Sequence, residues 1–494
     1  MRRSLTSQAG LLTGSRALGQ ILNALAGLVV VRALAQFDYG TYRQILLLWT
    51  TLFLVGDAAF SQSLYQFIPS QRKDTRTYLG QALAASLVMA SAWSVGLVLL
   101  AASIGRFFNN ADLAGYMKLL AAYLACSLFT KAPEAALINL ERVGAVALNT
   151  ACFETLKVAM VLGVLRAHGG INALLWAMLL STVLKLTHLL WLLRGTGLSL
   201  ALGSFGVQFQ YAMLLWLPGL LNIAATYAHQ YIVGFYFDPA RYAIYAVACF
   251  QVPFMGVLST SVGEILLVRA TEYHAQRRQT ELLQVWHNAC RKALLIFIPV
   301  VIACAALAGP FITTLFTLRY RASAPLFIPI VLGLGFSGLF QDSMLRAYGA
   351  MRAYAGFYIL RVVLALGLGV AGARWWGLWG AALSTLASLT ILNFSQLIKV
   401  AALLEAPFSR VLPWPELGRI CLVSGLAAGP AALAASQVSR PMFALLVGAG
   451  VFGAVFALLA PRLGAVRAEE SREFTLHLRA AAGRLGILPT KVSV

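Results

Sequence analysis

Long apolar runs alternate with short polar punctuation from one end of the chain to the other. A run of about 20 apolar residues is long enough to cross a bilayer as a helix. Fourteen such spans are predicted, over residues 9–31, 43–68, 78–104, 115–137, 143–166, 170–193, 209–236, 242–264, 291–316, 323–349, 354–373, 377–400, 413–437 and 441–461. Helices are expected because a chain inside lipid must satisfy its own backbone hydrogen bonds. The intervening segments are too short to hold a folded soluble domain. The fold class expected is an all-α polytopic membrane protein.

Composition agrees. Of 494 residues, 60% are hydrophobic and 11% charged, whereas a soluble domain carries roughly 25% charged residues. That excludes a cytosolic enzyme, a disordered chain and a secreted disulfide scaffold. The formal net charge is +21, but the basic residues are scattered between apolar runs rather than gathered on one face. No nucleic-acid partner is expected. Placing the N-terminus in the cytoplasm puts most Lys and Arg on the inner side, among them Arg2, Arg3, Arg76, Lys131, Arg142, Arg277 and Arg278, as the positive-inside rule requires. The opening Met1-Arg2-Arg3 precedes an apolar run reaching Leu34, too long for a cleaved signal. Both ends are therefore expected inside. No CxxC pair occurs among the cysteines, and the histidines lack HxxxH or HExxH spacing. Neither a metal nor another cofactor is expected.

An internal repeat is visible. Phe37-Asp38-Tyr39-Gly40-Thr41-Tyr42 follows the first span and Phe237-Asp238-Pro239-Ala240-Arg241-Tyr242 the seventh, an offset of 200 residues that also relates Gly19 to Gly219 and Ser61 to Ser261. Gly170 opens the sixth span as Gly377 opens the twelfth. Two six-helix lobes are expected, 1–194 and 209–404, joined by a cytoplasmic linker at 195–208. Two extra spans over 405–461 and a cytoplasmic tail over 462–494 follow. Transporters are often built from such repeats, with the substrate between them. Arg269–Lys292 reads as a helical extension, and the tail beyond Arg467 as a short helix.

Charges inside spans are costly and usually face the protein interior or a water-filled cavity. Arg16, Gln20, Asn23 and Gly27 recur at i, i+4, i+7 and i+11 on one face of the first span. The seventh span carries Asn222, Thr226 and His229, with Pro218-Gly219 as a point of kinking. Asp57 is the deepest lone acid. It is read either as an ion-coupling residue or as the partner of a cation such as Arg16. Glu154 and Lys157 stand at i, i+3, able to neutralise one another or to serve in coupling. Lys185 and Arg361 have no acid nearby on their own spans. Taken singly, the amides and hydroxyls also fit a role in helix association. The cations Arg16, Lys157, Lys185 and Arg361 outnumber Asp57 and Glu154. A positive cavity suits an anion such as pyrophosphate, which guanidinium groups bind through paired hydrogen bonds.

With the span pattern, Arg16 and Gly19 in the first span, the turn Asp38-Tyr39-Gly40-Thr41-Tyr42, the Glu141-Arg142 turn and the Gly170 and Gly377 openings, the chain resembles Wzx-type polysaccharide flippases of the MOP superfamily. The resemblance implies a V-shaped pair of lobes working by alternating access, a transporter rather than an enzyme. Its substrate would be a polyprenyl-pyrophosphate-linked oligosaccharide, crossing the bacterial cytoplasmic (inner) membrane for exopolysaccharide or O-antigen synthesis. Membrane lipids, a polysaccharide polymerase and a chain-length regulator are the implied partners, and a proton or sodium gradient the implied drive. An ion-coupled multidrug exporter and a peptidoglycan-precursor flippase share the layout; the exporter would want a negative cavity. A membrane polymerase would need a large outer loop or paired acids, and neither is evident.

Overall fold

The computed structural model describes residues 5–71, 74–199, 201, 203–252 and 255–466. These residues are helical nearly throughout. In order the helices are α1 (Leu5–Ala33), α2 (Gln36–Val55), α3 (Phe60–Ser70), α4 (Thr75–Leu99), α5 (Ala101–Phe107), α6 (Leu113–Asn139), α7 (Val143–Arg166), α8 (Ile171–Leu193), α9 (Phe205–Tyr236) and α10 (Pro239–Ala248). Then come α11 (Met255–Ala275), α12 (Gln279–Ala306), α13 (Ala308–Phe316), α14 (Ser323–Gly333), α15 (Gln341–Ala347), α16 (Met351–Leu403), α17 (Phe408–Val411), α18 (Trp414–Ser436) and α19 (Pro441–Arg462). Arg2, Arg3 and the predicted tail helix lie outside the described residues.

Among the described residues, twelve helical segments are long and apolar enough to cross a membrane, against fourteen predicted. Two local features account for the difference. The eighth predicted span is divided between α10, ending at Ala248, and α11, starting at Met255, and neither part meets that measure. The eleventh and twelfth are counted together as the 53-residue α16, which contains a break at Gly377 (φ 62°, ψ −141°). Only glycine tolerates that backbone region. A Cβ on Gly380 would collide with the Gly372 carbonyl, although residues eight apart in a straight helix are separated by about 12 Å. The chain folds back at Gly377, where the sequence places a span boundary. The seventh span, by contrast, runs unbroken through Pro218. The basic stretch after Arg269 is helical on both sides of a turn, α11 ending at Ala275 and α12 starting at Gln279.

Helices pack into two compact units, one holding the chain as far as Val247 with Tyr358–Ala381, the other Ala248–Phe357 with the chain from Ala382 onward. In the first, the fully buried Leu64, Leu79, Ala82, Ala132, Ala136 and Leu189 bring α3, α4, α6 and α8 together. Alanine recurs here because small side chains allow close helix approach where lipid offers no hydrophobic drive. In the second, Trp286, Cys290, Met344, Val400 and Val423 tie α12, α15, α16 and α18, and α19 packs on α18 and α13. The first unit takes in α9, α10 and part of α16, which the sequence repeat assigns to the second lobe. Repeat symmetry and packing groups are different properties of a chain, and one does not fix the other.

The two repeat-related turns meet inside the first unit. A Cβ on Gly40 would collide with the Pro239 carbonyl, and Gln36 Nε2 donates to the Ala240 carbonyl at 3.0 Å. Tyr42 and Tyr242 are both buried. Because the turns face each other, one glycine opens the space for both. That explains why Pro239-Ala240 can replace glycine in the second.

Candidate functional site

The sequence-predicted polar residues fall into three groups, all in the first unit. The first is built on α1 and α7, which pack closely. Gly19 makes room for Glu154: a Cβ there would lie 3.1 Å from Glu154 Cγ. Asn23 Nδ2 donates to Glu154 Oε2 at 2.8 Å and to the Gly19 carbonyl at 2.7 Å. Lys157 Nζ sits 2.5 Å from the same carboxylate oxygen. On the neighbouring helices, Lys185 of α8 pairs with Glu134 of α6 at 2.7 Å, and Lys185 also acts electrostatically on Glu154. Arg16 hydrogen-bonds Tyr65 of α3, which Glu134 also influences. Arg16, Lys157 and Lys185 therefore share one cluster with Glu134 and Glu154, which leaves one positive charge in excess.

Helix α1 exposes two faces. Leu11, Leu18, Ile21, Leu25 and Val29 form one; Arg16, Gln20 and Asn23 form the other. At about 100° per residue these faces point in roughly opposite directions, with the buried Gly19, Ala26 and Val30 between them on one side and the exposed Thr13 and Ala24 on the other. An apolar exposed face suits lipid. A guanidinium and two amides do not.

The second group joins α9 to α16. Arg361 Nη1 donates to Asn222 Oδ1 at 2.6 Å and Nη2 to Thr226 Oγ1 at 3.2 Å. The Thr226 hydroxyl in turn donates to the Asn222 carbonyl at 2.8 Å. Amide and hydroxyl fix the orientation of the guanidinium. One turn further, His229 Nδ1 lies 2.9 Å from the Tyr245 hydroxyl, within electrostatic reach of Arg361.

The third group centres on Asp57. Its span is broken between α2 and α3, where Ala58 and Ala59 take left-handed backbone conformations (φ 46° and 60°). The carbonyls this frees are met by side chains: Lys131 Nζ reaches the Phe53 carbonyl at 2.6 Å, Trp216 Nε1 that of Val55 at 2.8 Å, and Trp93 Nε1 that of Gly56 at 3.2 Å. Non-helical backbone at membrane depth requires such partners. Asp57 is buried, 3.0 Å from Lys131 Nζ, and its second oxygen accepts from the Ser61 N–H at 3.3 Å. Its partner is thus Lys131, which the sequence reading assigns to a cytoplasmic segment, and not Arg16.

Sequence reasoning missed three charged residues. Lys131, assigned by sequence to the inner side, sits with Glu134 in the second half of α6. Arg43 is part of α2 and acts on Tyr39, Tyr42 and Tyr227. Pairings across 74 and 51 residues (Asp57–Lys131, Glu134–Lys185) leave no periodic signal. Lys185 is tied to a carboxylate that its own span does not supply.

Comparison with known proteins addresses the chain as a whole. Residues 29–325, well over half of the chain, match the family described as "Polysaccharide biosynthesis protein". The chain belongs to this polysaccharide biosynthesis family. Its fold is shared with several solved transporters. The lipid II flippase MurJ in an inward closed conformation superposes with a TM-score of 0.70 at 13% identity, covering 92% of this chain and 99% of that one. An inward-facing multidrug resistance MATE transporter of the MOP superfamily gives 0.64 at 14% identity over 78% and 95% of the two chains. A MOP-superfamily transporter from Pyrococcus furiosus, described as having a binding pocket of reverse polarity, gives 0.53 at 15% identity over 82% and 98%. No curated protein matches the chain. The family member described here is thus a multi-pass membrane protein with the MOP transporter fold.

Proposed function

We propose that this protein is a flippase that carries a polyprenyl-pyrophosphate-linked oligosaccharide repeat unit from the cytoplasmic to the periplasmic leaflet of the bacterial inner membrane, for exopolysaccharide or O-antigen synthesis. The observation that carries the proposal is the polar face of α1, where Arg16, Gln20 and Asn23 stand opposite a lipid-suited apolar face. Such a face needs water or an anion. Membership of a polysaccharide biosynthesis family supports a saccharide cargo, and the likeness to a lipid II flippase supports a lipid-linked one.

In this reading the diphosphate is drawn by Arg16 and Arg361, the second held ready by Asn222 and Thr226. Gln20, Asn23 and His229 supply polar lining. Lys185, neutralised by Glu134, and the Glu154–Lys157 pair set the local potential rather than grip the cargo. Asp57 remains the proposed coupling acid, with Lys131 as the group whose contact must loosen when it takes up a proton or ion. Fourteen helices in two six-helix lobes plus α18 and α19, with both termini cytoplasmic, would rock about the cargo. A polymerase and a chain-length regulator would act on the delivered units. A guanidinium at Arg16 disfavours a multidrug exporter for cationic compounds.

The test is deletion in the native host followed by analysis of lipid-linked sugars. Completed repeat units should accumulate on the cytoplasmic side, and Arg16→Ala should insert normally yet sharply reduce polymer export. Accumulation of single units in the periplasm would instead indicate a polymerase.

A further inference from the structure

Beside the Arg361 group lies a cavity of about 600 Å³ whose lining is almost wholly apolar. Its walls come from α2, α4, α5, α9 and α16, including Leu52, Trp93, Leu220, Tyr227, Val362 and Leu366. Three polar groups at its edge are already engaged. The Thr51 hydroxyl lies 2.5 Å from the Tyr231 hydroxyl and also bonds the Leu47 carbonyl at 2.9 Å, while Trp93 Nε1 is bonded to the Gly56 carbonyl at 3.2 Å. So apolar a lining offers ordered water few partners. It is built for hydrocarbon.

Position along the helices gives the occupant. Cavity residues on α9 run from Leu220 to Tyr236 and those on α16 from Val362 to Val370. Arg361 contacts Asn222, and a Cβ on Gly369 would meet Ile232, so the two helices run parallel. Arg361 and Asn222 thus stand at one end of the cavity. Beyond Asn222 the α9 wall extends for about 21 Å at 1.5 Å per residue, about two-thirds of the hydrocarbon core of a bilayer. Anion-binding and apolar surfaces occupy neighbouring faces of the same two helices. That arrangement matches an amphiphile with an anionic head and one long chain.

We infer that this cavity receives the polyisoprenoid chain of the lipid carrier while the diphosphate engages Arg361. The inference rests on the flippase reading and deepens it. It is tested with purified full-length protein by native mass spectrometry against undecaprenyl pyrophosphate and phosphatidylglycerol, an anionic lipid with ordinary acyl chains. The expected result is a preference for the isoprenoid of about tenfold or more, lost in the cavity-filling variants Ala224→Trp and Leu366→Trp. It should be kept in Leu214→Trp, a control on the exposed flank of α9. In the unmodified chain, a benzophenone-bearing isoprenoid diphosphate should crosslink to peptides spanning 220–236 or 362–370, which covers the case of filled variants that do not fold. Filled variants that retain the preference, or crosslinks confined to other helices, overturn the chain site and leave the flippase reading standing. A wild-type protein without preference for the isoprenoid overturns both.

Discussion

Removing Lys131 should destabilise the first unit more than any loss of surface charge, and removing Asp57 with it should cost clearly less than the two losses summed. Asp57 and Lys131 side chains are 4% and 20% exposed and 3.0 Å apart. Lys131→Met leaves a buried carboxylate with only the Ser61 N–H for company and strips the Phe53 carbonyl of its donor. Breaking a buried pair from one side costs about 3–5 kcal/mol. Asp57→Asn should cost less, about 1–3 kcal/mol, because the amide oxygen can still accept from Lys131 and the ammonium also rests 4.4 Å from the centre of the Phe53 ring. In the double variant Asp57→Asn/Lys131→Met no buried charge is stranded, so its cost should fall at least about 2 kcal/mol below the sum of the singles. The assay is reversible unfolding in mixed micelles, with tryptophan fluorescence reporting Trp93 and Trp216 at the break. Single-variant costs below about 1 kcal/mol that simply add would refute the argument that the break is held by this pair.

Three further outcomes follow from the geometry. Gly377→Ala should lower folded yield, with a destabilisation of about 1–3 kcal/mol, because a Cβ is forced into a backbone region open only to glycine; size-exclusion of a fluorescent fusion reads this directly. Gly40→Val should be worse than Gly219→Val, since only Gly40 lies against a neighbouring backbone; thermal melts of the two variants decide it. On a cysteine-free background, Gln20→Cys should react with a membrane-impermeant maleimide while Leu18→Cys and Leu25→Cys do not, and equal labelling would remove the distinction between the two faces of α1.

Much of the fold was legible because hydropathy reports burial in lipid directly. The run from Val143 to Arg166 is a span by sequence and by structure, with the same ends. Gly377 marked a span opening in the sequence, and its positive φ gives the physical reason. The break at 56–59 was not legible, for it contains no proline and lies inside an apolar run. Asp57 was its only outward sign; it was read as a coupling acid or as the partner of a cation such as Arg16, and the cation beside it is Lys131. Helical spacing reveals contacts within a helix, so Arg16, Gln20 and Asn23 were grouped correctly, as were Asn222 and Thr226. Contacts between helices have no such signature. Hence Glu134 as partner of Lys185, Lys131 as partner of Asp57, and Asn222 as partner of Arg361 all required coordinates.

The most direct test of the account is lipid flipping by the purified protein in sealed liposomes. A fluorescent oligosaccharide on a short polyprenyl diphosphate, placed in one leaflet, would be followed by its protection from an external quencher. Wild-type protein should exchange it within the assay and Arg16→Ala should slow exchange at least about tenfold, while phosphatidylglycerol bearing the same fluorophore stays put. Equal exchange by both proteins, or by empty liposomes, would contradict a cationic path lined by the polar face of α1.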